Sequence, residues 1–199
     1  IGAPWTLLVY MIGAKLNKNE INYKMINEKK DEVSIILDKL NYFLCLHLEN
    51  QIKAGADVVQ IFDSWAGLIS PEDLNSFCYI PNSKIVDFCK RKKIPVICFP
   101  RGIKENYREF NNTVKPDGIN IDYNIDPIWA RKNLNETVIQ GGLDPRILLL
   151  SDKEIISNAK KYLDAFKGLP YIFNLGHGML PETNPDKVDR LIKFYREYK

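Results

Sequence analysis

Five short apolar runs separated by stretches of helical periodicity constrain this chain more than any other feature. They are ADVVQIF (56–62), IPVICF (94–99), DGINID (117–122), TVIQGG (137–142) and LPYIFNLG (169–176). Each is rich in Val, Ile or aromatic residues and ends near Gly, Pro or Asp. That is the pattern of strands buried on both faces of a parallel sheet. Between them the apolar residues fall at helical spacing. Residues 71–93 place Leu74, Phe77, Cys78, Ile85, Val86 and Phe88 on one face, with Pro71 as first helical residue and a break at Pro81. Residues 151–166 open with Ser151 and Glu154, a capping box, and bury Ile155, Ile156, Ala159, Tyr162, Leu163 and Phe166. Residues 184–198 form an amphipathic helix, and 19–54 read as two helices before the first strand.

Strand and helix alternate to the end with no linker, which predicts a single α/β domain over 1–199. Five βα units suit an open doubly wound sheet or most of a (β/α)8 barrel. Neither glycine-rich phosphate loop, GxGxxG or GxxxxGK[ST], is present, which argues against a nucleotide site.

A net charge of +3 is too small to argue for nucleic acid. The basic cluster Lys90-Arg91-Lys92-Lys93 ends a predicted helix, where cations suit the helix dipole. Cys45, Cys78, Cys89 and Cys98 form no CxxC pair, so they read as free thiols, and no metal site is expected. No apolar run approaches a membrane span and no signal peptide is apparent, so a cytoplasmic location is expected.

The strand ends carry the polar residues. Asp63-Ser64-Trp65 follows the first strand, Pro100-Arg101-Gly102 the second and Asp122-Tyr123 the third. Gly141-Gly142-Leu143-Asp144-Pro145 follows the fourth and Gly176-His177-Gly178 the fifth. In parallel α/β folds that edge binds ligands. Asp63, Ser64 and Asp122 have a plainer reading as helix caps, and Gly141-Gly142 as a tight turn. His177, flanked by two glycines, is the sharpest candidate; His47 reads as a packed helix residue.

These words, in this order, resemble the uroporphyrinogen decarboxylase family. The matching segments are GAPWTL and YM (2–11), FDSWAG (62–67), GINIDY (118–123), QGGLDP (140–145) and NLGHGMLPET (174–183), so the likeness spans the whole chain. The resemblance implies a (β/α)8 TIM barrel, no metal or organic cofactor, and usually a homodimer. It implies removal of CO2 from the four acetate side chains of uroporphyrinogen III, giving coproporphyrinogen III. Tyr10 resembles the family's active-site tyrosine, and Ser64 the serine that hydrogen-bonds a substrate carboxylate. His177 resembles the histidine that contacts a propionate or the pyrrole edge. Arg101 is a further substrate-binding candidate, taken from its strand-end position rather than from the family.

The family's barrel has three strands before GAPWTL, bearing an arginine-rich loop and a central aspartate. Ile1 therefore reads as the last residue of the third strand, and the chain as roughly the C-terminal 60% of the enzyme, its first three strands absent. The alternative is a non-catalytic remnant of a split or truncated gene. The chain departs from the family at IGAKLNKN (12–19), where a glycine-rich stretch is usual, and at QGGLDP, where QGNLDP is commoner. Methyltransferases of the same superfamily bind zinc through a His-x-Cys pair and a later Cys. Here the corresponding strand end is Phe99-Pro100-Arg101, and His177 has no nearby Cys.

Overall fold

A computed structural model describes residues 1–12 and 23–198. The N-terminal end of the predicted 19–54 helical region and most of IGAKLNKN lie outside the described residues. The structure is α/β, with five strands, β1 (Val59–Asp63), β2 (Val96–Pro100), β3 (Gly118–Ile121), β4 (Val138–Gly141) and β5 (Tyr171–Ile172), in that order in the sheet; β1 and β2, β2 and β3, and β4 and β5 pair in parallel. Two compact units divide within β3: Ile1–Ile119 and Asn120–Lys199.

In the first unit, Ile1–Ala3 run alongside strand β1 (Val59–Asp63). The Ile1 carbonyl accepts from Phe62 N–H at 2.8 Å and Ala3 N–H donates to the Phe62 carbonyl at 2.9 Å. Helix α1 (Pro4–Met11) then starts at Pro4, whose fixed φ and missing N–H suit a first turn. Its residues Pro4, Trp5, Thr6, Leu8 and Val9 are all buried, so this short helix is a core element. Trp5 stacks on Phe77 with ring centroids 5.6 Å apart.

The two predicted upstream helices are α2 (Tyr23–Glu28) and α3 (Lys30–Lys53). Helix α3 buries Val33, Leu37, Asn41, Leu44 and Leu48, the i, i+4, i+8, i+11, i+15 stripe of an amphipathic helix. His47 is on α3 as predicted, but it is exposed rather than packed; its Nε2 meets Gln51 Nε2 at 3.1 Å.

The predicted helix over 71–93 is three pieces. Pro71–Asp73 is a 3-10 turn, Asn75–Tyr79 a π turn, and Ile80–Arg91 is helix α4. The expected break at Pro81 is thus a widening just before it. Pro81 has no N–H to give, and the Cys78 carbonyl is taken by Asn82 Nδ2 at 2.8 Å. Strand β2 (Val96–Pro100) pairs with β1 in a register that sets Val59 against Val96 and Asp63 against Pro100. Both strands start later than the apolar runs suggested and carry on into the polar words. Helix α5 (Tyr107–Val114) leads to β3 (Gly118–Ile121), whose Gly118 and Ile119 pair with Ile97 and Cys98.

In the second unit, Asn120 and Ile121 complete β3. Helix α6 (Pro127–Asn133) is capped by Asp126, which accepts from Trp129 N–H at 2.8 Å. Strand β4 (Val138–Gly141) pairs with β5 (Tyr171–Ile172). Strand β5 is shorter than its apolar run because Asn174 Oδ1 captures Leu175 N–H at 2.8 Å; pairing returns at the Leu143–Leu175 bridge. The predicted capping box stands at the head of α7 (Asp152–Ala165), where Ser151 N–H donates to Glu154 Oε2 at 3.1 Å. Helix α8 (Pro185–Glu197) is capped by Asn184, which accepts from Asp186 N–H at 2.9 Å. Leu143, Ile147, Leu148, Ile155, Ala159 and Leu191 form the core here. No helix among the described residues is long and apolar enough to cross a membrane.

Candidate functional site

The first unit brings three of the four predicted site residues to the carboxyl ends of β1 and β2. Asp63 and Pro100 are register partners, so Ser64 and Arg101 leave adjacent strands at the same level. Neighbouring strands lie about 4.8 Å apart, which sets the two residues side by side on that edge. Arg101 N–H donates to the Asp63 carbonyl at 3.1 Å and its carbonyl accepts from Gly67 N–H at 2.9 Å. The loops after β1 and β2 are therefore tied to one another. Gly67 and Gly102 meet backbone to backbone, where a Cβ on Gly67 would lie 2.9 Å from the Gly102 carbonyl oxygen. Glycine in the FDSWAG word answers that approach.

Tyr10 comes from the last turn of α1. Its ring stands edge-on to Trp65, centroids 6.3 Å apart at 88°. It is 53% exposed, an uncommon setting for a large aromatic ring that is held in place. Ser64 and Arg101 are half-buried.

Beneath this edge lies a polar network that the sequence reading missed. Asp63 is 1% exposed. Its Oδ1 accepts from the Thr6 hydroxyl at 2.8 Å, and its Oδ2 accepts from Asn82 Nδ2 at 3.1 Å. Thr6 Oγ1 in turn accepts from Trp65 N–H at 3.3 Å, and the Trp65 carbonyl accepts from Trp5 Nε1 at 3.0 Å. Burial pushes the Asp63 carboxyl up to about 6, opposed by the Thr6 and Asn82 hydrogen bonds, which favour the carboxylate. Asp63 is no helix cap, because β1 includes it and the segment that follows turns through Ser64 and Trp65. The cue in the sequence was Thr6 and Asn82 as polar residues inside apolar helical faces.

The second unit carries His177, exposed at the end of the β5 segment. Gly176 holds this turn by close approach, since a Cβ there would lie 2.5 Å from the Tyr123 backbone nitrogen. Gly176 N–H donates to the Leu143 carbonyl at 2.7 Å. Asp122 is 1% exposed; its Oδ1 accepts from Asn124 N–H at 2.9 Å, an Asx turn, while Asp126 does the helix capping. Gly141 and Gly142 have φ of 81° and 96°, and their carbonyls accept from the hydroxyls of Tyr171 at 2.8 Å and Tyr162 at 2.6 Å. Burial raises both phenols, that of Tyr162 to about 12. Asp144 pairs with Arg146, which also lies over the Tyr123 ring at 5.1 Å. Arg146 holds the Asp144 carboxyl below its ordinary range. A cavity of about 650 Å³ opens between α6 and α7, lined by Tyr123, Asp126, Arg131, Asp144, Lys161 and Tyr162 among others.

The described cysteines are free thiols, Cys78, Cys89 and Cys98 buried and Cys45 half-buried, and burial raises all four. Among the described residues no three His, Cys, Asp or Glu side chains gather as a metal site would require.

Comparison with known proteins bears on the whole length. A sequence model of the family described as Uroporphyrinogen decarboxylase (URO-D) matches residues 1–198. The chain is 40% identical over 200 residues to a uroporphyrinogen decarboxylase from Rickettsia bellii, covering 99% of this chain and 59% of that one. It is 37% identical to one from Orientia tsutsugamushi, over 99% of this chain and 59% of the relative. The chain thus spans about three fifths of the length of these relatives. Its fold is similar to that of a methyltransferase from Methanosarcina mazei, with a TM-score of 0.81 at 19% identity over 99% of this chain and 58% of the other. At that identity the likeness concerns fold alone. With the family match running from end to end, the chain belongs to the uroporphyrinogen decarboxylase family.

Proposed function

We propose that the protein removes CO2 from the four acetate side chains of uroporphyrinogen III, giving coproporphyrinogen III, with no metal or organic cofactor. The observation that carries this reading is the nearness of Tyr10 and Ser64, which stand in the family's own words, to Arg101 on the same strand-end edge.

The substrate is a tetrapyrrole bearing eight carboxylates, so its recognition calls for hydrogen-bond donors and cations. Ser64 donates its hydroxyl to a substrate carboxylate. Tyr10 lies near another, its ring fixed by Trp65 and its exposed face free to meet the macrocycle. Arg101 supplies a cation, its backbone held to β1 through the Asp63 carbonyl. His177 contacts a propionate or the pyrrole edge. Decarboxylation needs a protonated pyrrole to accept the electrons released with CO2, so an acid for the ring and an anion near the developing cation complete the chemistry. In the family those duties involve a segment preceding GAPWTL. The whole protein is expected to act as a homodimer in the cytoplasm.

The test is anaerobic incubation of the whole protein with uroporphyrinogen III, followed by oxidation and chromatography of the porphyrins. Stepwise loss of carboxylates down to coproporphyrin is expected. Ser64→Ala and Arg101→Gln should each slow it by about 10-fold to 100-fold, the loss typical of a misplaced or unanchored substrate. Binding of uroporphyrinogen with no coproporphyrinogen released would overturn the reading.

A further inference from the structure

We propose that Asp63 is a positioning residue for this reaction: its carboxylate, through Thr6 and Trp65, holds Tyr10 and Ser64 in one arrangement, and its protonation loosens them. The inference rests on the decarboxylase reading for its kinetic consequence and on geometry for the rest.

Asp63 is fully enclosed and receives its hydrogen bonds from neutral groups. The groups that face it are Thr6 from α1, Cys78 from the π turn, Asn82 from α4 and Cys98 from β2. No lysine or arginine acts on it from these elements. Burying a charge without a counter-ion is costly, and a neutral side chain would serve packing better. What a carboxylate offers here is direction. It only accepts, so Thr6 must donate to it. The Thr6 oxygen then keeps its lone pairs for Trp65 N–H. A relay of fixed polarity results, running from Trp65 through Thr6 to Asp63.

Two of the site residues hang on that relay. Tyr10 lies one turn beyond Thr6 on α1 and rests its ring against Trp65. Ser64 sits between Asp63 and Trp65 in the chain. Arg101 is held separately, by the Asp63 backbone carbonyl, whatever the state of the side chain. A protonated Asp63 turns one acceptor into a donor, and the polarity of the relay is no longer unique. With the carboxyl raised to about 6, that change falls in a range where an enzyme works.

The experiment compares the whole protein with Asp63→Asn, Thr6→Val and Thr6→Ser. Infrared difference spectra between about pH 7 and pH 5 should show a protonated-carboxyl band in the wild type that Asp63→Asn lacks; near-UV circular dichroism should show a matching midpoint near 6 that disappears with it. With uroporphyrinogen III, kcat of Asp63→Asn and Thr6→Val should fall about 10-fold or more, KM should change less, and the acid-side inflection near 6 should vanish. Thr6→Ser, which keeps the hydroxyl, should restore kcat. An infrared band and dichroic midpoint that survive in Asp63→Asn would overturn the proposal. So would Asp63→Asn with wild-type kcat and pH profile, or Thr6→Ser as impaired as Thr6→Val. A wild type without turnover would defeat the decarboxylase reading, while the two spectroscopic titrations would still decide whether Asp63 sets the arrangement.

Discussion

The strand ends of the two units are held by different chemistry. In the first, a buried carboxylate gathers a hydroxyl, an amide and, through the hydroxyl, the loop after β1. In the second, neutral groups do the same work. Gln140 Nε2 donates to Asn120 Oδ1 at 2.7 Å with both residues 3% exposed, and two tyrosine hydroxyls cap the Gly141 and Gly142 carbonyls. The second edge also buries a carboxylate, Asp122, but that one accepts from Asn124 N–H in a local turn; Asp144 and Arg146 lie at the surface and pair with one another. A neutral network holds its shape at any ordinary pH. A buried carboxylate keeps a single hydrogen-bond polarity only while ionised. The comparison therefore assigns pH sensitivity to the Asp63 network of the first unit and constancy to the Gln140–Asn120 network of the second.

Both edges share one feature, close backbone approach at glycine, and this sets the largest expected effects. Gly176→Ala would place a Cβ 2.5 Å from the Tyr123 nitrogen and 2.9 Å from the Asp122 carbonyl carbon. Neither is the far end of a flexible side chain, so the loop itself must move. A loss of about 3 kcal/mol or more is expected in urea unfolding. Gly67→Ala would bring a Cβ to 2.9–3.0 Å from the Gly102 backbone and should cost somewhat less. An alanine tolerated at Gly176 would show that this turn is not built on contact.

Asp63→Asn comes next and separates the units. Its carboxyl binds a proton more tightly folded, near 6, than at the unperturbed 3.8. Stability from this group is therefore greatest below about pH 4 and is lost as pH rises through about 6. A shift of about two pH units corresponds to about 3 kcal/mol, and the wild type should lose that much relative to Asp63→Asn across the window. Urea midpoints at several pH values measure it. Parallel curves for the two proteins would remove the charge from the argument.

The alternation of apolar runs made the α/β class, the parallel strands and the order of elements legible, because burial on both faces demands such runs. FDSWAG, QGGLDP and LGHG marked the strand ends that the structure places at the edge. The Asp63 network was not legible. Thr6 and Asn82 precede and follow it by 57 and 19 residues, and only the packing of α1 and α4 beside β1 brings them together. The π turn was hidden for a similar reason: Pro81 signals an interruption, but whether the chain breaks or widens depends on Asn82 taking the Cys78 carbonyl. The shortening of β5 hangs on one Asn174 rotamer. Side chains that bond the backbone are local in space but leave no periodic trace.

Gln140→Met sharpens the comparison from the second unit. It removes the amide that Asn120 Oδ1 accepts from, leaving a buried acceptor without that bond. The expected cost is about 1–3 kcal/mol, and it should be the same from about pH 4 to pH 7, because neither partner ionises. A slope of the size expected for Asp63 would break the assignment of pH sensitivity to the first unit.

Arg146→Gln is the smallest and the most diagnostic of how an exposed charge differs from a buried one. The pair lies on the surface, where solvent screens it, so no change in unfolding midpoint is expected. The carboxyl itself should respond. Asp144 is held low chiefly by its hydrogen bonds to Arg146, so removing the guanidinium should let it titrate at a higher pH. The sign is opposite to that of Asp63. Whatever Asp144 contributes is present above 3.8 and lost as pH falls through its depressed value, well away from the range in which Asp63 changes. Carbon-detected NMR of the Asp144 carboxyl reads this directly. An upward shift with an unmoved midpoint keeps surface pairing and edge architecture separate; a lowered midpoint would mean that Asp144, like Asp63, helps to hold its strand end together.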